Sequence, residues 1–87
     1  MSLITLYTSQ HCPYCRLAEQ LLVRRAAGPL TQIRVDLDAQ ALTSMIARTG
    51  RRTVPQIFIG DRHVGGYDDL ARLDAAGELS SLLAACQ

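Results

Sequence analysis

The chain has 87 residues, 48% of them hydrophobic and 20% charged, the composition of one small globular domain with room for a modest core. A formal charge of +1 gives no electrostatic case for nucleic acid or an anionic membrane surface, and no apolar run approaches the roughly eighteen residues of a membrane span. All nine basic residues are arginine, so any cation the protein uses away from its two histidines is a guanidinium.

The opening segment, Met1 to Tyr7, is apolar but has no basic n-region, no long apolar stretch and no small-residue cleavage site. It reads as a first strand over Leu3–Tyr7 and not as a signal peptide, which makes a cytoplasmic location the expectation. Pro13 suits the first turn of a helix, where its missing N–H costs nothing. Cys15, Leu17, Ala18, Leu21 and Leu22 then follow at helical spacing until Gly28-Pro29 stops the run. Ile33, Val35 and Leu37 alternate with Gln32, Arg34 and Asp36, the period of a half-exposed strand. Asp38 can cap a second helix through Leu42, Met45 and Ile46, ended by Gly50. The stretch from Val54 to Ile59 reads as a strand entered through Pro55, with Gly60-Asp61 as a tight turn into a short partner strand through His63. Asp68 or Asp69 can cap a third helix, broken at Gly77, and Leu79 to Cys86 supplies a last helical turn or two. The order is β-α-β-α-β-β-α in a single domain over residues 1–87. A four-stranded mixed sheet flanked by helices, with a right-handed first βαβ unit, accommodates every segment.

Cys12 and Cys15 carry the chemistry to be explained. In a reducing cytosol a lone close pair is catalytic or metal-binding more often than structural. A zinc site needs four ligands, and His11, His63 and Cys86 sit on separate elements, with no second close pair of cysteines. A structural bridge across so short a loop removes little unfolded-state entropy. Two ordinary cysteines sharing a helix start are the plainest alternative. The redox reading fits the local physics best. Cys12 falls at the helix N-cap, where free N–H groups and the positive helix end face its sulfur. A thiol of pKa about 8.5 is a few per cent thiolate at neutral pH, and a fall of roughly 1.5 units makes it about half thiolate. That shift corresponds to about 2 kcal/mol, near the upper end of what a helix terminus supplies. Cys15, one turn into the helix, is the sheltered partner, and this asymmetry suits dithiol exchange.

The set Cys12-Pro13-Tyr14-Cys15, Thr53-Val54-Pro55-Gln56-Ile57-Phe58-Ile59 and Gly65-Gly66-Tyr67-Asp68-Asp69-Leu70 resembles the glutaredoxins, most of all their small bacterial dithiol class. The likeness spans essentially the whole chain, with the three motifs in the family's order and spacing. It implies a thioredoxin-like fold and glutathione-dependent disulfide chemistry, with no tightly bound cofactor or metal and glutathione as co-substrate. The partners it implies are protein disulfides and glutathionylated proteins, met by a monomer.

Carried over residue by residue, Cys12 matches the family's nucleophile and carrier of the glutathionyl group, and Cys15 the resolving cysteine of a redox-active disulfide. Tyr14 matches an aromatic residue lining the glutathione groove. Pro55 matches a cis-proline facing the active disulfide. Thr53 precedes Val54, whose backbone matches the segment that pairs with the cysteine part of glutathione, a strand-addition mode. Gly66 permits close approach, and the amides of Tyr67, Asp68 and Asp69 open a helix, a ready site for the γ-glutamyl carboxylate. Arg52 matches a basic residue for the glycine carboxylate. Arg51 is a weaker second, read as a solvated surface arginine.

Two positions depart from the family pattern. Ser9 stands where many relatives have a lysine, which implies a less acidic Cys12 or weaker glutathione binding. Tyr67 stands where several relatives carry a further cysteine, while Cys86 adds a terminal thiol with no assigned role. His11 flanks the nucleophile without the charge to serve as a base at neutral pH, and His63 is expected to face solvent. A redoxin coupled to thioredoxin reductase is the alternative within the redox class. A [2Fe–2S] carrier, held by Cys12 of two chains and two glutathiones, is the alternative outside it.

Overall fold

The computed structural model describes residues 4–25 and 28–85. Its elements run β1 (Ile4–Thr8), α1 (Pro13–Arg24), β2 (Leu30–Arg34), α2 (Ala39–Thr49), β3 (Gln56–Ile59), β4 (Arg62–Gly65), α3 (Tyr67–Ala75) and α4 (Glu78–Ala85). The four strands form one mixed sheet in the order β2-β1-β3-β4. β1 pairs parallel with β2 and antiparallel with β3, and β3 pairs antiparallel with β4. The expected thioredoxin-like architecture is therefore present, extended by one element: the last apolar residues form a full fourth helix.

Alternation along the strands divides the core into two layers. On one face Ile4, Leu6, Ile57 and Ile59 pack with Ala18, Leu21 and Leu22 of α1, Leu70 of α3, and Leu79 and Leu83 of α4. On the other face Tyr7 and Phe58 pack with Met45 of α2, flanked by the half-buried Leu42, Ile46 and Ile33. Each fully buried leucine or isoleucine contributes about 1.5–3 kcal/mol. Both layers grip β1 and β3, the two central strands, so the segments that leave their ends are held from both sides.

Local chemistry sets most of the boundaries. Asp38 caps α2, accepting from the Gln40 and Ala41 amides at 2.9 and 3.3 Å, and Gly50 ends it in the left-handed conformation at φ 71°. The expectation of a strand through Leu37 is corrected. β2 lies at Leu30–Arg34, and the last bond to its neighbour runs from the Val35 amide to the Thr8 carbonyl at 3.0 Å. β1 ends at Thr8, so the residues beyond Val35 have no strand to pair with. They turn outward and leave Leu37 75% exposed. Leu17, also at an expected core position, is 41% exposed because α1 buries Cys15, Ala18, Leu21 and Leu22 on a narrower face. Among the described residues no helix is long and apolar enough to cross a membrane. Cys86 lies outside the described residues.

Candidate active site

The site is assembled where α1 begins, where β3 begins and where α3 begins. At the first of these, Pro13 occupies the opening helical position and Cys12 is the N-cap, with φ −109° and ψ 100°. The Cys15 amide donates to Cys12 Sγ at 3.2 Å. The two cysteines are joined as a disulfide across a Cα–Cα distance of 5.2 Å, with Cys12 half-buried and Cys15 only 3% exposed. No acidic residue lies in the first turn of α1, so nothing offsets the positive end of the helix at Cys12. A negative charge on Cys12 Sγ is favoured there by about 0.3–2 kcal/mol.

The loop before Cys12 is tied down from the side. Asp36 takes both the Arg34 guanidinium, at 2.7 and 2.5 Å, and the Gln10 amide, at 3.2 Å. The Arg34 bonds above all hold the Asp36 carboxyl well below the usual carboxylate range. Between this anchor and Cys12 the chain turns sharply through His11, at φ 60° the one non-glycine residue in the left-handed region among those described. Histidine tolerates that conformation better than most residues.

The second wall is the segment entering β3. The Val54–Pro55 peptide bond is cis, as the resemblance implied. The Val54 carbonyl oxygen lies 3.8 Å from Cys12 Sγ, which sets main chain directly beside that sulfur. Gln56, the next residue after Pro55, is buried at 1% exposure. His63, expected to face solvent, does not: its ring stacks on Phe58 with centroids 5.0 Å apart and bonds to the Gln56 side chain at 2.7 Å. The cause is register, because His63 stands opposite Phe58, whose face of the sheet is covered by α2.

The third wall is the start of α3. Neither Asp68 nor Asp69 is its N-cap, a correction to the expectation: Gly66 is. Asp69 instead sits one turn inside and reaches back to accept the Gly66 amide at 3.0 Å, the reciprocal half of a capping box. The helix therefore starts two residues earlier than a side-chain cap would allow. Its first amides, those of Tyr67, Asp68 and Asp69, have no intrahelical acceptor. Gly65 is required beside them: it sits at φ 120°, and a Cβ there would overlap the Asp69 carboxylate. The Gly66 amide bond, opposed by burial and aided by Arg51, holds the Asp69 carboxyl below its ordinary value.

The three walls enclose an open groove of about 300 Å³ beside Cys12. It brings together Tyr14, Thr53, Val54, Pro55, Gly66, Tyr67, Asp68 and Asp69, eight of the nine residues that sequence motifs put at a glutathione site. The Tyr14 and Tyr67 rings lie 6.0 Å apart at a tilt of 34°. Arg52, the ninth, is exposed and is not part of the lining. Arg51, read as a solvated neighbour, takes a place in the groove: its guanidinium reaches Asp69 at 3.4 Å, drawn by the carboxylate that the α3 turn presents. Gln56 is the other lining residue that motif reasoning missed, and its burial depends on β3 being a central strand, which no local pattern states. Ser9 lies on the far side of the pair, in a second polar cleft of about 240 Å³ shared with His11, Cys15, Arg16 and Arg34. No group of three or more His, Cys, Asp or Glu side chains able to hold a metal ion occurs among the described residues.

Known proteins are similar to this chain in both sequence and fold. The glutaredoxin family model matches residues 4–64. A glutaredoxin of Neisseria meningitidis is 47% identical over 83 residues, covering 95% of this chain and 98% of that one. Glutaredoxin 3 of Escherichia coli is 45% identical over 83 residues, 95% of this chain and 99% of that one. Among solved structures, the solution structure of glutaredoxin from Brucella melitensis superposes with a TM-score of 0.81 at 43% identity, over 95% of this chain and 89% of that one. The crystal structure of a buckwheat glutaredoxin–glutathione complex gives a TM-score of 0.86 at 26% identity, over 97% of this chain and 78% of that one. With its fold, its half-buried and sheltered cysteines and these relatives, the chain belongs to the glutaredoxin family and so to the thiol–disulfide oxidoreductases.

Proposed function

We propose that this protein uses glutathione as its reductant, and that its substrates are protein disulfides and mixed disulfides between glutathione and protein. The observation that carries the reading is the groove. It is lined by Val54, whose carbonyl oxygen lies 3.8 Å from Cys12 Sγ, and it ends at the unpaired amides of α3, beside the Asp69 carboxylate. Glutathione is an extended tripeptide with a thiol in the middle, a carboxylate at each end and an amino group at one. The α3 amides suit the γ-glutamyl carboxylate, Asp68 and Asp69 suit its amino group, and Val54 suits the cysteinyl backbone. Arg52 serves the glycine carboxylate, reaching it from outside the groove. The solved complex of buckwheat glutaredoxin with glutathione supports the same ligand.

The chemistry follows from the asymmetry of the pair. The Cys12 thiolate attacks the glutathione sulfur of a mixed disulfide, forming Cys12–S–S–glutathione and expelling the substrate's thiolate, which takes up a proton. A second glutathione thiolate then attacks the outer sulfur, yielding glutathione disulfide and regenerating the Cys12 thiolate. With a protein disulfide, Cys12 forms the mixed disulfide with substrate, and Cys15 attacks Cys12 Sγ to release the reduced protein. The resulting Cys12–Cys15 bridge is reopened by one glutathione and the adduct cleared by another. The protein-disulfide route passes two electrons from two glutathiones to one disulfide, whereas the mixed-disulfide route consumes one glutathione, the other half of the glutathione disulfide coming from the substrate. A reductant of this kind suits a reducing cytosol, and we propose that the protein acts there as a monomer.

Reducing the Cys12–Cys15 bridge with glutathione plus glutathione reductase, and separately with thioredoxin reductase, tests the reading. The first is expected to sustain turnover and the second not. The reverse preference assigns the chain to the thioredoxin-reductase system and overturns the proposal.

A further inference from the structure

Gln56 has one orientation available to it. Its side-chain nitrogen donates to the Thr53 carbonyl oxygen at 3.0 Å and approaches Thr53 Oγ1 at 3.4 Å. A carbonyl can only accept, so the amide nitrogen must face Thr53 and the amide oxygen must face His63. That oxygen is also only an acceptor, so His63 Nε2, 2.7 Å away, must carry a proton. The hydrogen bonds thus run in one direction, from His63 through Gln56 to the main chain of Thr53, two residues before Pro55. The following carbonyl, that of Val54, is the one beside Cys12 Sγ.

The imidazole is fixed in place by its ring contacts. Its face lies on the Phe58 ring, which the Arg48 guanidinium also covers at 3.8 Å, while Arg48 donates to the Tyr7 hydroxyl at 2.9 Å. Burial first, and then the charges of Arg51 and Arg48, push the His63 pKa below its ordinary 6.5; Asp69 pulls the other way. Asp69 is already engaged by the Gly66 amide, Arg51 and Arg72, so little of its charge is left to receive an imidazolium.

We propose that His63 is a positioning residue for the Cys12 site, holding the Thr53–Val54–Pro55 main chain through Gln56 in the form that pairs with glutathione. Removing the His63 N–H leaves the buried Gln56 oxygen without its donor. The amide then reorients to find one, and its hold on the Thr53 carbonyl is lost. The reactive sulfur is untouched, so the effect falls on binding of the tripeptide and not on the acidity of Cys12. This rests on the glutathione reading above.

The test uses S-methylglutathione, which occupies the groove without reacting, and the wild-type protein beside His63→Phe and His63→Gln. Phenylalanine keeps the stack on Phe58 and removes the donor; glutamine supplies a neutral donor that does not titrate. At pH 7.5 His63→Phe is expected to bind about fivefold more weakly than the wild type, the size of one net hydrogen bond. His63→Gln should stay near the wild-type affinity. Equal affinity in all three proteins overturns the proposal. A second readout needs no ligand: in the free protein, the Thr53 and Val54 amide resonances should shift in His63→Phe and return toward their wild-type positions in His63→Gln. If S-methylglutathione binds none of the proteins, the glutathione reading fails while the relay is still decided by these amides. Resonances that keep their wild-type positions in His63→Phe refute the relay whatever the ligand.

Discussion

The two ends of the groove are built from different material. At the α3 end, main-chain amides, the Gly66 cap, the Asp69 carboxylate and the Arg51 guanidinium are locked to one another before any ligand arrives. At the opposite end the expected cation is a single exposed arginine, Arg52, and the charge that relatives place near Cys12 is replaced by the neutral Ser9 on the other side of the cysteine pair. A preorganised end loses little entropy on binding, whereas a long free side chain must be ordered at that moment, which costs about 0.5–1.5 kcal/mol. The α3 end should therefore contribute most of the affinity and the orientation, and the arginine end a smaller, salt-sensitive increment.

The largest effect expected from breaking the α3 end is that of Gly65→Ala. The new Cβ meets the Asp69 carboxylate at a φ that only glycine adopts freely, so the cap must open. The loss should be about 1–3 kcal/mol in urea unfolding, accompanied by loss of S-methylglutathione binding. An unchanged unfolding midpoint would show that Asp69 is not fixed as described. Next, Arg51→Met should weaken S-methylglutathione about five- to tenfold, as expected for a charge-assisted bond. Arg52→Met should cost about two- to threefold, in line with an exposed ion pair. Equal losses from the two would erase the asymmetry between the ends.

Acid should act on the α3 end with a definite sign. The Asp69 carboxyl is depressed in the folded protein, so its contribution to stability is fully present above its ordinary value of 3.8. It is lost as pH falls below that value through the depressed one. Unfolding midpoints followed from pH 7 toward pH 2 should lose part of this acid limb in Asp69→Asn, and an identical acid limb in both proteins would contradict the assignment. The smallest effect is expected at the weak end. Ser9→Lys should lower the Cys12 pKa by less than about one unit, and so raise its thiolate fraction at neutral pH, or tighten glutathione modestly, read by thiol absorbance against pH. No change in either quantity would show that the missing lysine has no bearing on this site.

The same division explains what could be read in the sequence. Features decided within a few residues were legible: Cys12 and Pro13 at a helix start, Asp38 and Gly50 at the ends of α2, the Gly60-Asp61 turn, and the apolar periods of the central strands. The cis bond at Pro55 was legible only through the resemblance, since nothing local distinguishes it from a trans one. Features decided by distant partners were not legible. β2 ends where β1 stops offering bonds, so Leu37 faces water despite its place in the alternation. His63 is half-buried because it stands opposite Phe58, and Arg51 turns into the groove because Asp69 pairs with it across 18 positions of sequence. Asp69 supports the cap from one turn inside, a role that a search for N-cap residues assigns one turn too late.

The central claim is that Cys12 carries glutathione in this groove, oriented by the α3 end. Its most direct test is to treat Cys15→Ser with glutathione disulfide and solve the structure of the product. One glutathione should be found on Cys12, its cysteinyl main chain against Val54 and its γ-glutamyl carboxylate on the amides of Tyr67, Asp68 and Asp69. Failure of the adduct to form, or a tripeptide lying across Ser9 and Arg16 on the other side of the pair, would contradict it.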